Sequence, residues 1–367
     1  MKKAHSAAGY LQAERHAGDR ILLFLQPGLD YITSFFGCMC AGMIPVPSYP
    51  PKIKRNDIRI ETMIKDAGAS LVLASESIIT KMRPLLDEKP ALRALSWIDV
   101  ADVPLDKPER FIPPQCDPEA IAYLQYTSGS TSDPKGVMIS HRNIMHNLAQ
   151  IHRNFGLARE SSGVLWLPPY HDMGLVGGIL QPVYAGVSAV LMSPFAFLQK
   201  PYRWLKAISD YRATTNGGPN FAYELCARMV TEEEKQNLDL SCWEVAFNGA
   251  EPVREDSMVR FYEAFKECGF KMEAFHPCYG LAESTLLVSG KEKGRPYCTL
   301  AVNPSSMETH RVETASQNGP ARVLVGSGSA FEEEKLLIVQ PDTGHVLPDA
   351  EIGEVWIKSE SIAAGYW

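Results

Sequence analysis

Short apolar runs, each followed by a loop and then by a segment with apolar positions three and four apart, set the rhythm of most of this chain. Residues 21–25 (ILLFL) form an unbroken apolar run that predicts a strand buried on both faces, and 29–41 predicts a helix packed on it. Strands are predicted again at 44–46 and 71–74, with a helix at 55–67 between them, and then at 95–100 and 121–126. Ser140 stands in an N-cap position ahead of a helix over 141–155, whose Ile144, Leu148 and Ile151 share one face. The alternation continues as strand 164–167, helix 173–184, strand 187–192, helix 201–211 and strand 213–216. Helix 220–231, strand 244–248 and helix 255–268 complete it. Strands that alternate with helices predict parallel sheets covered by helices.

Beyond about residue 290 the texture changes. Strands are predicted at 323–325, 335–339 and 353–358, joined by turn-forming segments such as Pro341–Asp342–Thr343–Gly344, with no helix-length period between them. This tail is expected to be a small β-rich subdomain. Two uncharged stretches, 31–51 and 173–199, have the length of a membrane span. Gly42, Pro45 and Pro47 interrupt the first, and Pro182, Gly186 and Pro194 the second. Both therefore read as helix, turn and buried strand, and no membrane insertion is expected.

A chain of 367 residues exceeds what one hydrophobic core usually serves, so two or three subdomains are expected. Hydrophobic residues at 45% and charged residues at 22% match a soluble globular protein and exclude a disordered one. A net charge of −7 leaves no basic footprint for nucleic acid or an anionic membrane, which points to small molecules and proteins as ligands. The eight cysteines are scattered, with no C-x-x-C pair and no histidine cluster beside them, a spacing that suits neither a zinc site nor a disulfide framework. The opening MKKAHSAAGYLQAERH carries charges where a signal peptide needs an apolar run. A cytoplasmic protein with reduced thiols is expected.

The sharpest local feature is Tyr126–Thr127–Ser128–Gly129–Ser130–Thr131–Ser132–Asp133–Pro134–Lys135–Gly136. Hydroxyl residues and glycines in succession can aim several N–H and O–H donors at one anion, and the lysine adds charge; this is the chemistry of a phosphate cradle. The spacing of a Walker A loop is absent. A Ser/Gly-rich surface turn between two strands is the alternative reading of the same residues.

This string resembles the phosphate-binding loop of the adenylate-forming superfamily, which includes acyl-CoA synthetases, peptide-synthetase adenylation domains and luciferases. Further matches follow in the family's order. Asn248–Gly249–Ala250–Glu251–Pro252 is similar to its adenine-edge motif, and Tyr279–Gly280–Leu281–Ala282–Glu283 to its aromatic–glycine–acid motif. Gly353–Glu354–Val355 and Gly365–Tyr366–Trp367 match its late β region. Within the superfamily the resemblance is closest to the fatty acyl-AMP ligases. It is carried by Leu167–Pro168–Pro169–Tyr170–His171–Asp172–Met173–Gly174, by Ser193–Pro194–Phe195–Ala196–Phe197–Leu198–Gln199–Lys200–Pro201 and by Gly218–Pro219–Asn220–Phe221–Ala222–Tyr223. The stretch between Glu283 and Gly353 is longer than in most acyl-CoA synthetases, and residues 291–322 resemble the inserted segment of that branch.

The resemblance implies an α/β fold in which two helix-covered, mostly parallel sheets pack together, with a small β-rich, barrel-like subdomain. It implies a first α/β subdomain over 19–164, a second over 165–290, and the insertion with the β-rich part over 291–367. The family's leader, its ribose-binding aspartate and its C-terminal domain with the catalytic lysine are expected to lie outside this sequence. The implied reaction is activation of a fatty acid by ATP and Mg²⁺ to an acyl-adenylate plus pyrophosphate, for transfer to the phosphopantetheine arm of an acyl carrier protein. An acyl-CoA synthetase and a non-catalytic nucleotide- or acyl-binding remnant are the alternatives.

The same resemblance carries roles over residue by residue. Thr127, Ser128, Gly129, Ser130 and Thr131, with Lys135, would surround the ATP phosphates, and Glu283 would hold the Mg²⁺. His171 would donate a hydrogen bond near the α-phosphate. Asn248, Gly249 and Ala250 would meet the adenine edge, and Tyr279, Gly280, Leu281 and Ala282 its face. Gly217, Gly218, Pro219 and Ala222 are candidates for the wall of an acyl tunnel, with tight helix–strand packing as the other reason for small residues there.

Overall fold

The computed structural model describes residues 1–49, 58–86, 88–127 and 134–367, and of 58 and 59 only the backbone. The chain divides into two compact units, one of Met1–Met145, Pro168–Ile179 and Ala363–Trp367, the other of His146–Leu167 and Leu180–Ile362.

The first unit contains β1 (Arg20–Phe24), β2 (Ile44–Ser48), β3 (Leu71–Ala74), β4 (Ser96–Asp99), β5 (Ile121–Thr127) and β6 (Lys135–Ser140). The first four form a parallel sheet in the order β2-β1-β3-β4. The apolar run at β1 occupies an inner position and is buried over Ile21–Phe24, as a strand covered on both faces must be. β2, with Pro45 and Pro47, lies at the sheet's edge, where a missing N–H costs no ladder bond. Helices Leu29–Cys40, Ile58–Ala67 and Glu76–Leu86 connect successive strands, and Ile60, Met63, Ile64, Ile78 and Met82 join Leu22, Phe24 and Val72 in one core. The uncharged stretch from residue 31 is thus helix, turn and strand, with Gly42 at φ 76° in the turn.

A further helix, Lys2–Glu14, was not foreseen from the sequence. Its buried face is built mainly of Ala4, Ser6, Ala7, Ala8 and Gly9, small residues that leave little hydrophobic contrast to read. β5 and β6 form an antiparallel hairpin. Ser140 caps the helix His141–Asn154: its Oγ accepts from Asn143 N at 3.1 Å, while Asn143 Oδ1 accepts from Ser140 N at 2.9 Å.

The second unit holds β7 (Ser162–Leu165), β8 (Ser188–Leu191), β9 (Thr215–Gly218), β10 (Val245–Asn248), β11 (Phe275–Gly280) and β12 (Leu287–Gly290). It continues with β13 (Thr299–Val302), β14 (Arg322–Val325), β15 (Ser329–Ala330), β16 (Lys335–Val339) and β17 (Glu354–Lys358). Its main sheet has the order β15-β12-β11-β10-β9, parallel through β9–β11 and antiparallel from β11 onward. The change of direction follows from chain length, because the short loop after Gly280 permits a hairpin but no crossover helix. β7 and β8 form a parallel pair, and β13–β14 and β16–β17 form two antiparallel ladders in the tail. The tail also contains the short helix Pro304–Glu308, which no sequence period announces.

An aromatic core fills this unit. Trp204 packs edge-on against Trp166, Phe197 and Trp243, and Tyr223 against Phe261 and Phe275. Tyr223 sits fully buried with its hydroxyl donating to Phe247 O at 2.7 Å, so its one polar atom is satisfied. The 173–184 segment is helical as expected, but Met173–Leu180 winds as a π-helix before Gln181–Ala185 resumes the α form. Among the described residues no helix is long and apolar enough to cross a membrane, and none of the eight cysteines is paired.

His276 on β11 gives this unit an acid-sensitive element. Its Nε2 donates to Asn154 Oδ1 at 2.8 Å, and Asn154 Nδ2 donates to Lys291 O. Burial first, then the Lys291 and Lys293 ammoniums, push its imidazole down to about 3 from 6.5. The unfolded chain therefore takes up a proton below pH 6.5 that the folded chain refuses, so stability is full above that pH and falls as the pH drops toward 3. The expected slope is about 1.4 kcal/mol per pH unit. His276→Gln, which keeps a donor for Asn154, should flatten the urea midpoint between pH 6.5 and 4 (the ordinary histidine value and about the ordinary carboxylate value); an unchanged slope would refute the assignment.

Candidate active site

The ends of the Ser/Gly-rich loop and the His171 loop lie in the first unit. Ser128, Gly129, Ser130 and Thr131 lie outside the described residues. The loop's two anchors are described: Thr127 and Lys135 face each other as register partners at the loop end of the β5–β6 hairpin. Residues 364–367 run beside β6, with Trp367 N donating to Gly136 O at 2.8 Å and Met138 N to Gly365 O at 3.0 Å. This brings the ring of Tyr366 under the Lys135 ammonium, 5.1 Å from its centroid.

The His171 loop is fixed through backbone carbonyls. Gln125 Nε2 donates to Tyr170 O at 3.0 Å, and the buried Tyr31 hydroxyl donates to Pro169 O at 2.8 Å. Asp172 Oδ1 lies 3.2 Å from His171 Nδ1 and also accepts from Met173 N at 2.7 Å. The His171 side chain is exposed, and its hydrogen bond to the Asp172 carboxylate holds the imidazole above its usual value against a smaller opposing effect of burial. Such a histidine presents a charged or neutral N–H donor at near-neutral pH.

In the second unit the remaining candidates collect at the carboxyl ends of adjacent parallel strands, where open α/β sheets bind ligands. Gly217 and Gly218 end β9, Asn248 ends β10 and Tyr279 and Gly280 end β11. Asn248 is paired with Gly218 on one side and Pro277 on the other. Its side chain is fully buried; its Oδ1 has no protein partner among the described residues. Ala250 follows at φ 65°, and Glu251 Oε1 accepts from Phe221 N at 2.7 Å, which caps the start of the helix Asn220–Met229. Tyr279 is 37% exposed and so belongs to a surface rather than to the core.

A cleft of about 1050 Å³ opens at this edge. Ala250, Glu251, Arg254, Tyr279 and Gly280 line one side, and residues of the strand leaving the 291–322 segment, among them Arg322 and Val325, line the other. The four acyl-wall candidates are not among its lining residues. Ala222 lies fully buried in the aromatic core. A Cβ on Gly217 would come within 2.1 Å of Phe247 O, and one on Gly218 within 2.7 Å of the Trp166 ring, so packing alone requires glycine at both positions.

Glu283 is half-exposed on the loop between β11 and β12, with Ala282 buried beside it and Leu281 partly so. Among the described residues no three His, Cys, Asp or Glu side chains converge as metal ligands. A single carboxylate suits a Mg²⁺ that arrives on the oxygens of a phosphate chain, since this ion keeps most of its ligands as water and phosphate. The sequence assigned no role to Asp172, which bonds His171, nor to Asn147, Thr285 and Ser361, whose side chains hydrogen-bond around the loop of Glu283. Asn147 had one legible signal, a polar residue beside Ile144, Leu148 and Ile151 on a core-facing helix side.

The model of the family described as AMP-binding enzyme matches residues 1–367. The chain is 39% identical, over 373 residues, to a medium-chain-fatty-acid–acyl-carrier-protein ligase, JamA, of Moorena producens (strain JHB), covering 100% of this chain and 63% of that protein. It is 34% identical to the corresponding ligase TtuA of Teredinibacter turnerae (strain ATCC 39867 / T7901), covering 95% of this chain and 60% of the relative. A crystal structure of a fatty acyl-adenylate ligase from L. pneumophila, in complex with acyl adenylate and pyrophosphate, superposes with a TM-score of 0.94 at 44% identity, over 100% of this chain and 63% of that one. The chain thus spans less than two thirds of the length of these relatives. A family match along its whole length, with the motif residues set at strand ends and loop anchors, means that the chain belongs to the AMP-binding enzymes, the adenylate-forming superfamily.

Proposed function

We propose that this chain is the nucleotide- and acyl-binding part of a fatty acyl-AMP ligase. The observation that carries the reading is the row of Gly218, Asn248 and Tyr279 at the ends of adjacent parallel strands, beside a cleft of about 1050 Å³. A fatty acid carboxylate oxygen attacks the α-phosphorus of ATP, the bond to the β-phosphate oxygen breaks, and acyl-AMP and pyrophosphate form. Transfer of the acyl group to the thiol of a phosphopantetheine arm on an acyl carrier protein then releases AMP. The names of the relatives support both the substrate class and the carrier.

Little covalent chemistry is asked of the protein, so alignment and charge neutralisation carry the rate. Thr127 through Thr131 and Lys135 bind the phosphate chain, and the Tyr366 ring restrains the lysine from below. His171, oriented by Asp172, donates to the oxygens of the reacting phosphate. Tyr279 offers a face to the adenine, while Asn248, Gly249 and Ala250 offer edge groups, among them Asn248 Oδ1, which has no partner among the described residues. Glu283 would hold a Mg²⁺ ion, which would supply positive charge to the phosphates.

Calorimetry with a non-hydrolysable acyl-adenylate mimic tests the binding half, and fatty-acid-dependent pyrophosphate release tests the chemistry. The mimic is expected to bind and to be displaced by ATP. Absence of binding would overturn the reading. Consumption of free CoA in place of acyl carrier protein would move the protein to the acyl-CoA synthetases.

A further inference from the structure

The loop that carries Glu283 is held in a conformation that a polypeptide rarely adopts unaided. After Gly280 the chain makes a single 3-10 turn, Ala282–Ser284, and then places Thr285 at φ 66° and ψ −58°. Leu286 N donates to Ser284 O at 2.7 Å, which closes a γ-turn of the positive-φ kind around Thr285. This region is costly for any residue with a Cβ and worst for a β-branched one, and glycine would occupy it without strain. Thr285 is also completely buried. Strain of this sort persists only where the surroundings over-determine it, and it concentrates at functional sites.

The surroundings do over-determine it. Thr285 Oγ1 donates to Ser361 O at 2.7 Å. Asn147, fully buried, uses both ends of its amide: Nδ2 donates to Leu287 O at 2.8 Å, to Ser361 Oγ at 3.1 Å and more weakly to Ser284 O at 3.4 Å, while Oδ1 accepts from Leu287 N at 3.1 Å. Ser361, at the turn beyond β17, also meets His146 Nδ1 at 2.9 Å. On the other side of the loop, Leu281 N donates to Leu286 O at 3.0 Å, and a Cβ on Gly280 would collide with that carbonyl at 1.8 Å. The backbone on both sides of Glu283 is therefore pinned, while Glu283 itself is only partly buried.

We propose that Thr285, Asn147 and Ser361 are positioning residues that hold the Glu283 carboxylate for a divalent cation carried on the phosphates of a nucleotide. The inference rests on the reading of Glu283 as the metal-holding acid. The hydroxyl of Thr285 is the reason a threonine stands where glycine would be unstrained: without it the loop can close, but the acid is no longer aimed.

The test uses the 367-residue chain, with Mn²⁺ as the metal and α,β-methylene-ATP as the nucleotide. Affinity is measured by calorimetry in EDTA and in Mn²⁺, and bound Mn²⁺ is followed by its paramagnetic resonance. Thr285→Val and Thr285→Gly should each weaken the Mn²⁺-dependent part of the affinity about tenfold and leave binding in EDTA unchanged. Thr285→Ser should restore it. Thr285→Gly, relieved of strain, should unfold no earlier than the parent chain, which keeps the comparison valid if the valine variant is unstable. Wild-type Mn²⁺ dependence in the glycine variant would overturn the brace while leaving Glu283 as the metal ligand. An equal loss in EDTA and in Mn²⁺ would reduce these residues to a structural role and overturn it too. Identical nucleotide affinity with and without Mn²⁺ in the unaltered chain would remove the reading of Glu283 and the brace together.

Discussion

Replacing Glu283 by glutamine is expected to abolish the Mg²⁺ dependence of nucleotide binding and to lower acyl-adenylate formation about a hundredfold or more. The physical reason is the hardness of the ion: Mg²⁺ prefers anionic oxygen, and a neutral amide of the same shape is a poor substitute. No cluster of acidic or histidine side chains among the described residues stands by to replace it. The fold should be spared, because Glu283 is only partly buried and the exchange is nearly isosteric. Isothermal titration with ATP at limiting Mg²⁺, set beside a thermal melt, separates the two effects. An unaltered titration would sink the metal assignment.

Gly217→Ala is expected to cost about 3 kcal/mol of stability, among the larger losses a single methyl can cause. Gly217 and Phe247 are direct register partners on β9 and β10, and the new Cβ would meet Phe247 O at 2.1 Å and the Phe247 ring at 2.5 Å. A flexible side chain could move aside, but a backbone acceptor in a parallel ladder cannot do so without losing its own bond. Urea denaturation followed by tryptophan fluorescence reports this unit directly, since Trp166, Trp204 and Trp243 lie in its core. A variant with an unchanged midpoint but a shortened acyl preference would return Gly217 to the acyl wall and remove packing as its explanation.

The reach of the sequence is clearest at particular elements. The apolar runs at β1 and β3 were legible because a strand buried on both faces must be apolar throughout, whatever its neighbours. The interruptions at Gly42, Pro45 and Pro47 were legible because these residues constrain the local backbone directly. β11 was not legible. Its sequence FHPCYG contains a proline and a glycine, which argue against an inner strand, yet it lies between β10 and β12. The bulge between Tyr279 and Gly280 absorbs part of that irregularity. The π-helical winding of Met173–Leu180 was equally hidden, because apolar periodicity over eight residues does not resolve a wider turn from an α-helical one.

For the candidate site the division falls in a similar place. The order and content of the motifs determined the family, and supplied the expectation that Glu283, Lys135 and His171 surround a nucleotide. These properties belong to residue types at short spacing, so a linear chain displays them. Tertiary structure alone decided that Tyr366 underlies Lys135, that Thr285 is strained, and that Asn147 and Ser361 close on the loop of Glu283. It also decided that Gly217 must be glycine whether or not an acyl chain passes near it. Each of these depends on strand register or on the approach of segments far apart in sequence, and periodicity along one segment carries no information about the distance to another.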